Sequence, residues 1–145
     1  MERILPLAKA KLVTLQQSAP LLEAARLLAY KEANLVIICD RDGVIVGVIA
    51  KTDIVREASK RRDFGRRIST SNAMTREVVS CRPQDALEDV WSTMKSHGLK
   101  HIPVLDHESR PIGLAIARDV LGLLIEELEH EDQLLRDYVM CVGYH

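Results

Sequence analysis

Apolar residues along the chain recur with two different periods, and the order in which those periods alternate is written twice. Short stretches of β character, Leu12–Leu15 and Val78–Cys81, each precede a stretch with helical spacing. Leu21, Ala24, Ala25 and Leu28 fall at i, i+3, i+4 and i+7, as do Leu87, Val90, Trp91 and Met94, so each set lines one helix face. Asp85 followed by Glu88 reads as a capping box opening the second of these helices, and Gly98 as its stop. Two short strands follow in each half: Leu35–Cys39 and Val44–Ala50, then His101–Leu105 and Pro111–Ile116. Asp40-Arg41-Asp42-Gly43 and Asp106-His107-Glu108-Ser109-Arg110 are the polar turns between them. Each half then passes through a glycine into an apolar strand end and an aspartate opening a last helix, Gly47 to Asp53 and Gly113 to Asp119.

An ungapped offset of 66 residues aligns Val13 with Val79, Leu21 with Leu87, Asp40 with Asp106, Gly47 with Gly113 and Asp53 with Asp119. The unit is therefore β-α-β-β-α, present twice. The expected division is a first repeat over 5–60, a basic linker over 61–72, a second repeat with a C-terminal helix over 73–138, and a tail over 139–145. Lys60, Arg61, Arg62, Arg66 and Arg67 cluster around that linker, the usual signature of a solvated face. The last helix is expected from Asp119 to about Tyr138, with Leu121, Leu124, Ile125, Leu128, Leu135 and Tyr138 in one stripe and Glu126, Glu127, Glu129, Glu131 and Asp132 around it. One small repeat cannot cover a stripe of that length, so it is expected to meet the other repeat or another subunit.

Of 145 residues 47% are apolar and 28% charged, enough to build a core without a metal or disulfide. The net charge of −1 speaks against nucleic acid and against a polybasic membrane anchor. No uninterrupted apolar run exceeds the five residues of Leu35–Cys39, so no transmembrane span is expected. Lys9 and Lys11 interrupt the apolar start Ile4-Leu5-Pro6-Leu7-Ala8 before a secretory segment develops, which points to the cytoplasm. Cys39, Cys81 and Cys141 form no CxxC pair and read as reduced and structural.

Catalytic chemistry is not legible. The chain holds no G-x-S-x-G, G-x-x-x-x-G-K-[ST], H-E-x-x-H or G-x-G-x-x-G pattern, and Glu126 and Glu127, adjacent on a helix, point apart. His97 and His101 are four residues apart, but Gly98 and the strand pattern from His101 break the helical geometry that two metal ligands would need. His107, His130 and His145 read as solvated. No metal, cofactor or catalytic residue is expected.

Gly47-Val48-Ile49-Ala50-Lys51-Thr52-Asp53-Ile54 and Gly113-Leu114-Ala115-Ile116-Ala117-Arg118-Asp119-Val120 each resemble the G-h-h-[ST]-x-x-D-h signature of CBS (cystathionine-β-synthase-type) domains. Lys100-His101-Ile102-Pro103-Val104 resembles that family's [KR]-H-[IL]-P-V strand, and Ala73-Met74-Thr75 before Val78-Val79 fits as well. The likeness covers roughly residues 5 to 138, and the acidic last helix is similar to that of small free-standing bacterial members. The resemblance implies an α/β (α+β) fold in which two repeats pack through their sheets about a pseudo-twofold axis, leaving two clefts. It further implies an adenosine-containing ligand in them, of the AMP, ADP, ATP, NAD or S-adenosylmethionine class, and a non-catalytic sensor that forms a homodimer and acts on a protein partner. The ligand residues so implied are Gly47, Ala50, Lys51, Thr52, Asp53, His101, Ile102, Pro103, Gly113, Ile116, Arg118 and Asp119. An aspartate at a helix N-terminus can accept from two ribose hydroxyls, and the first-turn amides there favour phosphate. The family's hydroxyl residue three positions before each aspartate is Ala50 in one copy and Ile116 in the other. The competing reading is a structural interaction module whose clefts have lost their ligand, with each aspartate kept as a helix cap.

Overall fold

The computed structural model describes residues 3–31, 33–60 and 68–143, with side chains described as far as Val139. The elements are α1 (Leu5–Ala10), β1 (Thr14–Gln16), α2 (Leu21–Tyr30), β2 (Val36–Cys39), β3 (Ile45–Ile49), α3 (Lys51–Lys60), a 3-10 turn (Thr70–Asn72), α4 (Leu87–His97), β4 (His101–Leu105), β5 (Pro111–Ile116) and α5 (Ala117–Gly143). In the first repeat β1 runs parallel to β2 and β2 antiparallel to β3, while in the second β4 and β5 form an antiparallel pair.

β2 is buried on both faces, and its alternation divides the interior. Val36 and Ile38 join Leu21, Ala24, Leu28 and Ile49 beneath helices α2 and α3. Leu35, Ile37 and Cys39 face the other way and meet Leu114 of the second repeat, so the two sheets are joined by an apolar layer. The second repeat has its own core of Val90, Met94, Ile102, Val104, Ala115 and Val120. Both hairpins close identically: Asp40 Oδ1 accepts from the amides of Asp42 and Val44 at 2.9 and 3.0 Å, and Asp106 Oδ1 from those of Glu108 and Arg110 at 2.9 Å. They also touch, since Ile45 N–H donates to the Ser109 carbonyl and Arg110 Nε to that of Asp42.

Several local expectations need correction. Val78–Ser80 belong to no strand; only Cys81 makes a single parallel bridge to Val104, and Pro83 two residues on has no N–H to extend it. Asp85 caps no helix: its carboxylate accepts from the Arg82 amide at 2.8 Å, and α4 starts behind Ala86. Gly98 does end α4, in the left-handed conformation at φ 64°. The last helix reaches Gly143 and so takes in most of the stretch expected as a tail. Of the region around the linker, Lys60 ends α3 and Arg61, Arg62, Arg66 and Arg67 lie outside the described residues, whereas Ile68, Thr70, Ala73 and Met74 are buried on the first repeat.

Helix α1 has no counterpart in the sequence reading, where Ile4–Ala8 served only to weigh a secretory segment. Ile4 and Ala8 are fully buried in the second repeat's core, so the start of the chain packs on the far repeat. A Cβ on Gly113 would lie 2.8 Å from Ala8 Cβ and 3.0 Å from its carbonyl carbon, so α1 crosses β5 where only glycine fits. Gly47 plays the same part at Met74 and Thr75, with a Cβ 2.7 Å from Met74 Sδ and 2.9 Å from the Thr75 oxygen. Ala8 and Lys9 are the 66-residue equivalents of Met74 and Thr75, so each repeat's lead segment crosses the other repeat's glycine strand.

Candidate functional site

The two signature aspartates each occupy the third position of a helix, and the lead segments bring a different partner to each. Asp53 is 3% exposed. Its Oδ2 accepts from the Ala50 amide at 2.8 Å, and its Oδ1 from Arg56 Nη2 at 2.9 Å and from Thr75 Oγ1 at 3.1 Å. The bond to Ala50 is the reaching-back half of a capping box. Two further donors, one from the second repeat's lead segment, occupy the other oxygen.

Asp119 is left more open. Its side chain is 18% exposed and is ion-paired with Lys11 Nζ, on the segment leading out of α1. The register pairs His101 with Ile116, and Ala117 N–H donates to the Lys100 carbonyl at 2.8 Å, so the K-H-I-P strand and the start of α5 lie side by side. His101 is half-buried; burial, with the Lys100 charge beside it, lowers its pKa below the usual histidine value. Ile102 and Pro103 are buried, Ile102 in the second repeat's core, and Arg118 is exposed.

The twelve residues singled out in the sequence thus fall into two groups. Gly113, Ile116, Arg118, Asp119, His101, Ile102 and Pro103 share one sheet and the helix end it feeds, where Lys11 joins them. Gly47, Ala50, Lys51, Thr52 and Asp53 line the turn from β3 into α3, which Thr75 and Met74 close; Lys51 and Thr52 are exposed. Lys11, Arg56 and Thr75 were not among the site residues expected from the sequence. Applying the 66-residue offset ahead of the first strand would have placed Lys9 and Lys11 alongside Thr75 and Glu77.

Among the described residues the cysteines and the other histidines form no second cluster. Cys39 and Cys81 are free thiols, and burial raises both pKa values, that of Cys81 to about 12 with Asp85 adding to the effect. His97 Nδ1 lies 3.0 Å from its own helix's Thr93 carbonyl. Among the described residues no group of three or more His, Cys, Asp or Glu side chains is placed to hold a metal, and no helix is long and apolar enough to cross a membrane.

The CBS domain family profile matches the chain twice, over residues 6–60 and 68–126. The CBS domain pair of protein MJ0100, in complex with 5′-methylthioadenosine and S-adenosyl-L-methionine, superposes with a TM-score of 0.71 at 22% identity, covering 86% of this chain and 96% of that one. The cytosolic domain of the Mg2+ channel MgtE in complex with ATP gives 0.65 at 23% identity over 78% of this chain and 45% of that one. Among curated sequences, homoserine O-acetyltransferase of Methanohalobium evestigatum is 28% identical over 116 residues, 80% of this chain. The chain spans only 22% of that enzyme's length. These likenesses and the paired signatures place the chain in the CBS domain family, as a tandem pair.

Proposed function

We propose that this CBS pair is a non-catalytic regulatory module that binds an adenosine-containing ligand in the cleft of its second repeat, beside Asp119. The observation that carries the reading is the contrast between the aspartates: Asp53 is buried under three donors, whereas Asp119 is partly open and held by one flexible cation. A ribose diol donating to Asp119 would release Lys11, which then faces a phosphate beside Arg118 and the first-turn amides of α5. Those cations favour a nucleotide such as AMP, ADP, ATP or NAD over the sulfonium of S-adenosylmethionine. The ligand-bearing relatives support the adenosine class, and Ile116 in place of a hydroxyl makes Lys11 the substitute polar contact.

The first cleft fits the competing reading, a structural joint between repeats. No reacting group is assigned to either cleft. Regulation would act through different ligand affinities in two states of the module, its self-association or its grip on a protein partner. Exposed Val55, Leu121, Ile125 and Leu128 on the outer helices support association with a second copy. No cofactor is needed for folding, and the reading places the module in the cytoplasm.

Thermal-shift titration with AMP, ADP, ATP, NAD and S-adenosylmethionine tests this. A nucleotide at 100 times its Kd adds about 2.7 kcal/mol to stability, several degrees for a chain of this size. The shift is expected to vanish in Asp119→Asn. No shift with any of the five at millimolar concentration would remove the ligand reading.

A further inference from the structure

The first repeat holds a polar cleft of about 500 Å3 that includes neither signature aspartate and is lined by Gln16, Gln17, Ser18, Arg41, Ser69 and Ser71. β1 and β2 run parallel and end together at Gln16 and Cys39, beside the β2–β3 hairpin, whereas Asp53 follows the opposite end of β3. The cleft therefore lies at the other end of the sheet from Asp53. Its volume falls within the roughly 300–1,000 Å3 usual for small-molecule sites. Its two walls are stitched together from behind by Thr70, which is fully buried and whose hydroxyl reaches the Gln16 and Gln17 carbonyls at 3.1 and 2.9 Å. The Thr70 amide donates to the Ala19 carbonyl at 2.9 Å and the Ser71 amide to that of Gln17 at 3.3 Å.

The equivalent place in the second repeat is occupied by the chain itself. Arg82 stands 66 residues after Gln16, and its guanidinium donates to the Asp106 carbonyl and the Ser109 hydroxyl at the base of the β4–β5 hairpin. Gln84, Arg3 and Leu5 replace Ser18, Ser69 and Ser71, so the three hydroxyls belong to the first repeat alone. There the cation sits on the rim: Arg41 is exposed and pairs with no carboxylate among the described residues. Of the acids beside it, Asp40 is turned onto the amides of Asp42 and Val44, and Asp42 is not a lining residue. Ser69 and Ser71 Oγ lie 2.6 Å apart and share one hydrogen bond, which leaves one hydroxyl proton and further lone pairs for a ligand. Arg76 Nη2 donates to the Ser71 carbonyl at 3.2 Å and adds positive charge behind that turn.

We propose that this cleft is a second binding site, for a small phosphorylated polyol whose phosphate pairs with Arg41 and whose hydroxyls bond to the serines and glutamines. A guanidinium meets a phosphate through two parallel N–H···O bonds. Amide and hydroxyl side chains both donate and accept, as sugar hydroxyls require. A cationic ligand would meet Arg41 with no carboxylate in the lining to offset it. The site does not depend on the adenosine ligand proposed above, which would sit beside Asp119 in the other repeat.

Heteronuclear NMR of the 15N-labelled chain, titrated with glucose 6-phosphate, glycerol 3-phosphate, inorganic phosphate and glucose, tests it. The expected result is saturable shifts at the amides of Gln16–Ser18, Arg41 and Ser69–Ser71 with one of the two polyol phosphates, at a Kd at least about tenfold below that of phosphate or glucose. Arg41→Gln, at an exposed position, should raise that Kd at least about tenfold, and Ser18→Trp, which fills the cleft from its exposed rim, should abolish the shifts, both without lowering the Tm. Asp119→Asn should leave the shifts unchanged, which separates this site from the nucleotide cleft. No shift at these residues with either polyol phosphate at about 10 mM, or shifts that survive both Arg41→Gln and Ser18→Trp, would overturn the site. Inorganic phosphate binding as tightly as the polyol phosphates would overturn the assignment of the ligand.

Discussion

Asp53 and Asp119 occupy the same place in two copies of one unit, yet one is buried under three donors and the other is partly open beside a lysine. The difference comes from elsewhere in the chain. Thr75, ahead of the second repeat, is itself exposed, but its short hydroxyl donates to Asp53 Oδ1 at 3.1 Å and completes the shell of that buried carboxylate. Lys11, near the start of the chain, reaches Asp119 with a long side chain that is itself 37% exposed. A signature aspartate therefore states a position and a helix start; the lead segment of the opposite repeat decides which side chain the carboxylate meets.

The contrast is most easily broken by deleting each carboxylate. Asp53→Ala leaves the half-buried Ala50 amide without its acceptor, while exposed Thr75 and half-exposed Arg56 can turn to water, and is expected to cost about 1–2 kcal/mol. Asp119→Ala, whose partner reaches water, is expected to cost under about 1 kcal/mol. Chemical denaturation of both variants checks this, and equal losses would dissolve the distinction between the clefts.

Similar in size are the effects at the glycines under the lead segments. Gly113→Ala sets a methyl against the Ala8 Cβ and backbone, which cannot yield without moving α1, and is expected to cost about 1–3 kcal/mol. Gly47→Ala meets a flexible methionine side chain but also the Thr75 carbonyl at 2.9 Å, so it should loosen the bond from Thr75 to Asp53 as well as lower stability. Thermal melts give the cost, and faster hydrogen exchange at the Val48–Thr75 bridge identifies the mechanism.

A smaller effect sharpens the comparison through pH. His101 in the second repeat takes the position that Leu35 holds in the first. Its folded pKa is lowered below 6.5, by burial first and Lys100 second, so the folded state binds the proton less readily than the unfolded chain. Stability is unaffected well above pH 6.5 and declines as the pH falls through the unfolded value toward the lower folded one. His101→Leu is expected to flatten that decline as the pH falls below the ordinary histidine value of about 6.5, read from Tm against pH. An unchanged profile would show that another group carries the titration.

Much of the fold was legible because periodicity and the internal repeat both point to it. Leu21, Ala24 and Leu28 line the buried face of α2 as their spacing requires, and Gly98 adopts the left-handed turn its position demands. The failures lie where a tertiary contact supplied what local sequence did not. Val78–Ser80 have strand composition but no neighbour to pair with, and Ile4 and Ala8 look like a stray apolar start until β5 is placed beneath them. Within the site, the aspartates were legible as motif positions. Their partners Thr75 and Lys11, on the lead segments of opposite repeats, were not.

Isothermal titration calorimetry of the adenosine nucleotide that gives the largest thermal shift tests the central claim most directly, applied to the wild type, Asp53→Asn and Asp119→Asn. The account predicts one site per chain, lost in Asp119→Asn and kept in Asp53→Asn wherever that variant remains folded by circular dichroism. Two sites per chain, or binding that survives in Asp119→Asn and disappears in a folded Asp53→Asn, would contradict it.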